Sequence, residues 1–169
     1  MTTKNRLLME SGTFAVGTNY WASHAGTAMW SDWRPDVVER DLQALAEAGL
    51  QILRVFLLWP DFQPLTQLYT GEGQPAEIRN AEDPFPDTAA GRAGVSEEAV
   101  RRFREFTAIA DRHGLKLIVG LVTGWMSGRL FVPPALEGRN VLTDPVALMW
   151  EVRLVQFMVR HFLDDPAIL

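Results

Sequence analysis

Two stretches of this chain decide its architecture: Leu45–Trp59, LAEAGLQILRVFLLW, and Ile109–Trp125, IADRHGLKLIVGLVTGW. Each passes from the last turn of a helix through a Gly-Leu pair into a short apolar run that finishes at a tryptophan-containing loop. Gly49 and Gly114 stand just past the helix end, where the backbone turns left-handed and only glycine escapes a Cβ clash. The runs Ile52–Leu58 and Leu117–Val122 lack polar/apolar alternation. They suit strands covered on both faces, as in parallel sheets, and are too short to prefer a buried helix.

Helical periodicity precedes each run. Val38, Leu42, Leu45 and Ala46 form one apolar stripe; Val100, Phe103, Thr107 and Ala110 form another, with Phe106 and Ile109 beside it. Ser31 or Asp32 followed by Pro35 opens the first helix, and Ser96 with Glu97 and Glu98 opens the second. A third helix, from about Pro145 to Leu163, starts after Asp144 as cap and is expected to turn Leu148, Val152, Val155, Val159 and Phe162 inward. A first strand over Phe14–Tyr20 and the beginning of another at Ala167-Ile168-Leu169 complete a repeated strand–helix order with right-handed crossovers. Helix-to-strand connections are short, whereas the strand-to-helix loops Trp21–Arg34, Thr123–Thr143 and above all Trp59–Val95 are long. In parallel α/β folds chemistry collects at the carboxyl ends of the strands, where these loops fall.

A chain of 169 residues fits one domain, 1–169, and can bury a real core. Its net charge of −5 argues against nucleic acid or an anionic membrane as partner, and the absence of cysteine removes disulfides and thiolate metal sites. The patch Leu7-Leu8-Met9 is interrupted by Glu10 and is too small for a signal-peptide core. No apolar run approaches the ~18 residues of a membrane span. A soluble, cytoplasmic protein is expected, with secretion through an upstream segment left open.

The first strand–helix turn, GTNYWASHAGTAMW, holds no glycine-rich phosphate fingerprint, and its aromatics oppose the close backbone approach that phosphates need. Nucleotide binding is therefore discounted. Five of the six tryptophans, Trp21, Trp30, Trp33, Trp59 and Trp125, lie at or after strand ends; only Trp150 lies on a helix. Flat indoles beside polar groups suit sugars, which offer C–H faces for stacking and hydroxyls for hydrogen bonds. The alternative is that they pack the undersides of long loops and satisfy their own N–H groups. Arg54 stands within the apolar ILRVFLLW. A buried guanidinium needs carboxylates or carbonyls around it. It is either a core arginine paired with a helix or loop carboxylate, or an arginine inside a barrel that orients a catalytic carboxylate.

Taken together, FAVGTNYW (Phe14–Trp21), AGLQILRVFLLWPDFQP (Ala48–Pro64), GLKLIVGLVTGWMSG (Gly114–Gly128) and DDPAIL (Asp164–Leu169) resemble the first part of a clan A glycoside hydrolase, nearest to family 5, the cellulase and β-mannanase type. The resemblance spans nearly the whole chain. It implies an α/β fold of the (β/α)8 TIM-barrel type, represented by about the first half: three βα units and the start of a fourth strand. It also implies retaining hydrolysis of β-glycosidic bonds, with Arg54 matching the second-strand arginine that holds the nucleophilic glutamate. Asn19, Tyr20, Trp21, Trp59 and Trp125 match positions that face the substrate cleft, although relatives often carry histidine where Trp125 stands. DDPAIL leads, in the family, into the fourth strand and its Asn-Glu acid/base pair, with the nucleophile much later. Retaining hydrolysis needs two carboxyl groups about 5–5.5 Å apart. Neither family glutamate falls within these residues, so the chain alone is expected to be inactive. An oligosaccharide, polysaccharide or glycoside is the expected ligand, with no cofactor and no metal. Self-association or a complementing half-barrel is the expected partner, and a non-catalytic sugar-binding or assembly role is the alternative.

Other candidates are weaker. Glu97-Glu98, Asp164-Asp165, Glu82-Asp83 and Asp87 read as solvated groups or turn formers. His24, His113 and His161 lack metal-ligand spacing, and Ser23, Ser127 and Thr123 lack a nucleophile-elbow context.

Overall fold

A computed structural model describes residues 14–169. The Leu7-Leu8-Met9 segment lies outside the described residues. Among those described, no helix is long and apolar enough to cross a membrane.

The chain divides into two compact units. The first takes the residues up to Phe56 together with Arg101–Gly120 and Phe162–Leu169. Its sheet runs β1 (Gly17–Asn19), β2 (Ile52–Leu58) and β5 (Lys116–Thr123) in the spatial order β1-β2-β5. β1 and β2 pair in parallel, with Gly17 against Ile52, Thr18 against Leu53 and Asn19 against Arg54. The closing residues also join: Leu117 N–H donates to the Ala167 carbonyl at 2.7 Å, and Leu169 N–H to Leu117 at 3.0 Å, a parallel bridge centred on Leu117 and Ile168. The first strand is shorter than expected, Gly17–Asn19 in place of Phe14–Tyr20.

Helix α1 (Pro35–Glu47) has proline in its first turn, and Arg34 stands at its N-cap without a side-chain hydrogen bond, so neither Ser31 nor Asp32 caps it. α4 (Glu97–Arg112) starts on Ser96, whose Oγ accepts the Ala99 N–H at 3.2 Å. Gly49 (φ 86°) and Gly114 (φ 69°) take the left-handed positions that end the two helices. The core of this unit combines Leu53, Val55 and Leu117 from the strands with Val38 and Leu42 from α1 and Phe103, Phe106, Ile109 and Ala110 from α4. Phe103 meets Phe162 edge-on at 4.8 Å.

The second unit takes Leu57–Val100 and Leu121–His161. The segment expected to be one long loop after β2 carries regular elements. It holds α2 (Trp59–Phe62), the antiparallel pair β3 (Leu65–Tyr69) and β4 (Pro75–Asn80), and α3 (Ala89–Ala93). The next loop carries the hairpin β6 (Trp125–Met126) and β7 (Arg129–Leu130) and a 3-10 turn at Pro134–Leu136. α5 (Pro145–Phe162) begins on Asp144, whose Oδ1 accepts the N–H groups of Val146 (2.8 Å) and Ala147 (3.1 Å).

α5 corrects one expectation. Leu148, Val152 and Val159 are exposed, and the buried face is Ala147, Trp150, Leu154, Phe157 and Met158, with Phe162 common to both readings. The helix is apolar on most of its circumference, so periodicity supports two stripes equally well, and packing chooses between them. Trp150 and Phe157 fill far more volume than the valines of the expected stripe, which favours the stripe that contains them.

Candidate active site

The register of β1 and β2 builds the site. Paired residues of neighbouring parallel strands point to the same face. Leu53 and Val55 are fully buried in the helix-covered core. Gly17, Asn19, Ile52 and Arg54 therefore share the opposite face. The strands approach closely there: a Cβ on Gly17 would stand 2.6 Å from the Ile52 carbonyl oxygen, which is why glycine occupies the position. The result is a depression of about 470 Å³ whose lining includes Gly17, Asn19, Ile52, Arg54 and Ile118.

Arg54 is exposed on this face, which corrects the expectation of a buried guanidinium. No carboxylate among the described residues pairs with it. It lies instead over the Phe56 ring, its Cζ 4.6 Å from the centroid, and Trp21 stacks on the same phenylalanine at 5.4 Å with planes 16° apart. Cation–π contact and stacking narrow the freedom of a long side chain without neutralising it. A positively charged group thus stands fixed beside the Asn19 amide and a half-buried indole.

Tyr20, expected to face the cleft, points into the core. It is buried, stacks on Phe106 at 5.6 Å, and donates from Oη to Asp41 Oδ2 at 3.1 Å. Burial, with the Asp41 carboxylate beside it, pushes the phenol well above its usual range, so it stays protonated. The same Asp41 accepts the Ser23 N–H and hydroxyl, both at 2.8 Å. Asp41 thereby fixes how the chain leaves β1, a role the sequence reading passed over. Its flank position beside Leu42 on α1 was the available signal.

The remaining loop tryptophans of this unit take the packing role. Trp30 is buried, with its indole N–H on the Phe56 carbonyl at 2.8 Å. Trp33 stacks on it at 5.7 Å and donates to Glu105 Oε2 at 2.8 Å.

In the second unit the two named tryptophans part ways. Trp59 is fully buried, and its N–H is held by Gln63 Oε1 at 2.7 Å. Gln63 is buried too and donates from Nε2 to the carbonyls of Ala93 (2.7 Å) and Trp150 (2.9 Å). A polar side chain between Phe62 and Pro64 in WPDFQP was the clue to this tie. Trp125 is 67% exposed on β6, across from Leu130. The turn between them passes through Ser127 and Gly128, both with positive φ, which suits the twist of a tight hairpin. Its indole face is open for stacking.

The parallel strand pairing, the helix-covered core and the opposite face that carries Arg54 define the class: an α/β protein built on a parallel sheet. Comparison with solved structures is consistent with this. At TM-score 0.73 and 25% identity the chain matches a GH5_18 variant from Streptomyces cattleya in complex with Manb1-4GlcNAc, covering 93% of this chain and 32% of that one. An exo-beta-1,4-mannosidase from Opitutaceae bacterium strain TAV5 matches at TM-score 0.72 and 25% identity, with 92% of this chain and 24% of that one covered. GH5_18 from Bifidobacterium longum subsp. longum ATCC 55813 matches at TM-score 0.71 and 26% identity, over 92% and 32%. No protein-family model and no curated protein matches the chain.

The structural neighbours of this chain are thus family 5 glycoside hydrolases, and its mixed α/β fold corresponds to part of their TIM barrels. The chain spans no more than about a third of the length of these three neighbours.

Proposed function

We propose that residues 1–169 form part of the catalytic barrel of a family 5-type β-glycosidase that retains anomeric configuration, with β-linked mannosides as the first substrates to test. One observation carries this: Arg54 and Asn19, in register on the helix-free face of parallel strands, in a chain whose neighbours are such hydrolases. In this reading Arg54 awaits a carboxylate from barrel segments this chain does not cover, holding it ionised and aimed at the anomeric carbon. Retaining hydrolysis then needs a second carboxyl group about 5–5.5 Å from the first, acting as acid and then base. In the first unit Asn19 offers an amide to substrate hydroxyls and Trp21 an apolar face to a sugar ring, with Tyr20 holding the loop that carries them. The 169 residues alone do not hydrolyse glycosides.

A second reading has its own support. The helix-free face exposes Ile118 beside Arg54, and among the described residues no carboxylate lines the depression there, which suits a non-catalytic half-barrel that binds sugar or an assembling partner.

A chimera separates the two. The matching part of the Streptomyces cattleya GH5_18 protein is replaced by this chain, and hydrolysis of aryl β-mannosides is followed. Turnover is expected in the chimera and none in the isolated chain. Arg54→Ala in the chimera is expected to lower kcat/KM by at least ~100-fold, the scale of losing one preorganised electrostatic contact. A folded chimera with no turnover, or turnover indifferent to Arg54, refutes the proposal.

A further inference from the structure

The second unit carries a feature that glycoside chemistry does not use. A depression of about 270 Å³ lies between α3 and α5, and its charged lining consists of Arg92, Arg153, Arg160 and His161, over an apolar floor that includes Phe157. On α5, Arg153, Gln156, Phe157, Arg160 and His161 follow the spacing i, i+3, i+4, i+7, i+8, which keeps them on one helix face. Arg153 and Arg160 are two turns apart, about 10.5 Å along the axis. Arg92 faces them from α3.

Each group is held differently. Arg153 lies over the Trp150 ring, its Cζ 4.6 Å from the centroid. His161 stacks on Phe157 at 3.8 Å, and its Nδ1 is 2.8 Å from the Phe157 carbonyl. A carbonyl only accepts, so Nδ1 carries the proton and Nε2 is left for a ligand. Arg92 pairs at 2.7 Å with Asp87, whose side chain is 98% exposed. Neither Arg153 nor Arg160 makes an ion pair with another described residue.

The groove gathers three guanidiniums with no carboxylate in its lining; of these only Arg92 has an ion-pair partner among the described residues, the exposed Asp87, so an anion in the groove would offset the repulsion that remains. The groups offered are almost all donors, in planar forks that match tetrahedral oxyanions two oxygens at a time. We propose that this groove binds a phosphate group on a small molecule, with the phosphate between Arg92 and Arg160 and the attached carbon skeleton on Phe157. The groove is a binding site, and no bond is made or broken in it.

The test uses the whole 169-residue chain. Arginine Nε–H and His161 ring signals are followed by NMR at constant ionic strength while inorganic phosphate, and separately a hexose 6-phosphate, is added. Saturable shifts confined to the groove are expected, with Kd on the order of 1 mM, in keeping with a few half-exposed charge-assisted contacts. Tighter binding of the ester than of inorganic phosphate is expected, and equal or tighter binding of inorganic phosphate overturns the placing of a carbon skeleton on Phe157. The double variant Arg92→Gln/Arg160→Gln, shown to be folded by circular dichroism, is expected to bind at least ~10-fold more weakly, while Arg34→Gln leaves binding unchanged. Linear, non-saturating shifts, equal affinity in the double variant, or an equal loss in Arg34→Gln overturns the proposal. Glycoside turnover is not read, so this failure is separate from failure of the catalytic assignment.

Discussion

Gln63 is the residue whose replacement tests the second unit most sharply. Its amide joins the Trp59 indole to the backbone at Ala93 and Trp150, with all three contacts between 2.7 and 2.9 Å and no solvent access. Gln63→Leu keeps nearly the same volume, so the cavity contribution is small. What remains is polar. The Trp59 N–H loses its acceptor in a fully buried setting, and the Ala93 carbonyl loses its donor, whereas Trp150 lies inside α5 and keeps its helical partner. Two stranded groups at ~1–3 kcal/mol each give about 2–6 kcal/mol. In a chain of this size that lowers Tm by about 10 °C. Urea unfolding followed by tryptophan fluorescence measures it. A companion, Gln63→Glu, keeps the acceptor but sets a desolvated carboxylate against two carbonyl oxygens. Its folded pKa is then raised, so the damage is full above that value and recedes as the pH falls and the group protonates. A loss under ~1 kcal/mol in Gln63→Leu, or no pH dependence in Gln63→Glu relative to wild type, would refute the network's assigned role.

Two further outcomes follow from named contacts. Gly91→Ala places a Cβ 1.9 Å from the Pro86 carbonyl oxygen, a backbone atom that cannot swing aside, so the cost is expected at ~2–3 kcal/mol in the same unfolding assay. Hydrogen bonds from His113 and then Arg112 hold the Glu39 carboxyl below its ordinary range. The stability this lends is present above the unfolded carboxylate value and is lost as the pH falls through the folded one. The gap between wild type and Glu39→Gln should therefore be widest near neutral pH and close in acid, as read by unfolding midpoints across pH.

The elements that repeat were legible because local physics determines them. Gly49 and Gly114 mark helix ends wherever the chain folds, and the α4 stripe of Val100, Phe103, Phe106, Thr107, Ile109 and Ala110 is buried throughout. α5 misled because one apolar stripe competes with another, and only its neighbours break the tie. The β3–β4 pair escaped notice because QLYTGEGQPAE reads as turn chemistry, and a short antiparallel ladder needs little apolar alternation. For the site, type and face were separable. An arginine among apolar residues was visible in ILRVFLLW, yet its exposure depends on what covers the sheet, which no single strand encodes. The tryptophans show the same limit. Hydrogen bonding commits Trp30, Trp33 and Trp59 to packing, while Trp125 stays open because a two-residue strand has nothing to bury it against.

Asp41 gives the first loop a fixed hinge post. Because its three donors come from Tyr20 and Ser23, the trajectory out of β1 is settled within a few residues, and from a helix rather than from the loop itself. The stretch between Ser23 and the buried Met29 and Trp30 can then lengthen, shorten or change character while Asn19 keeps its place beside Arg54. That makes the loop a natural place to graft new ligand preferences, with the strand-borne pair left as a constant anchor.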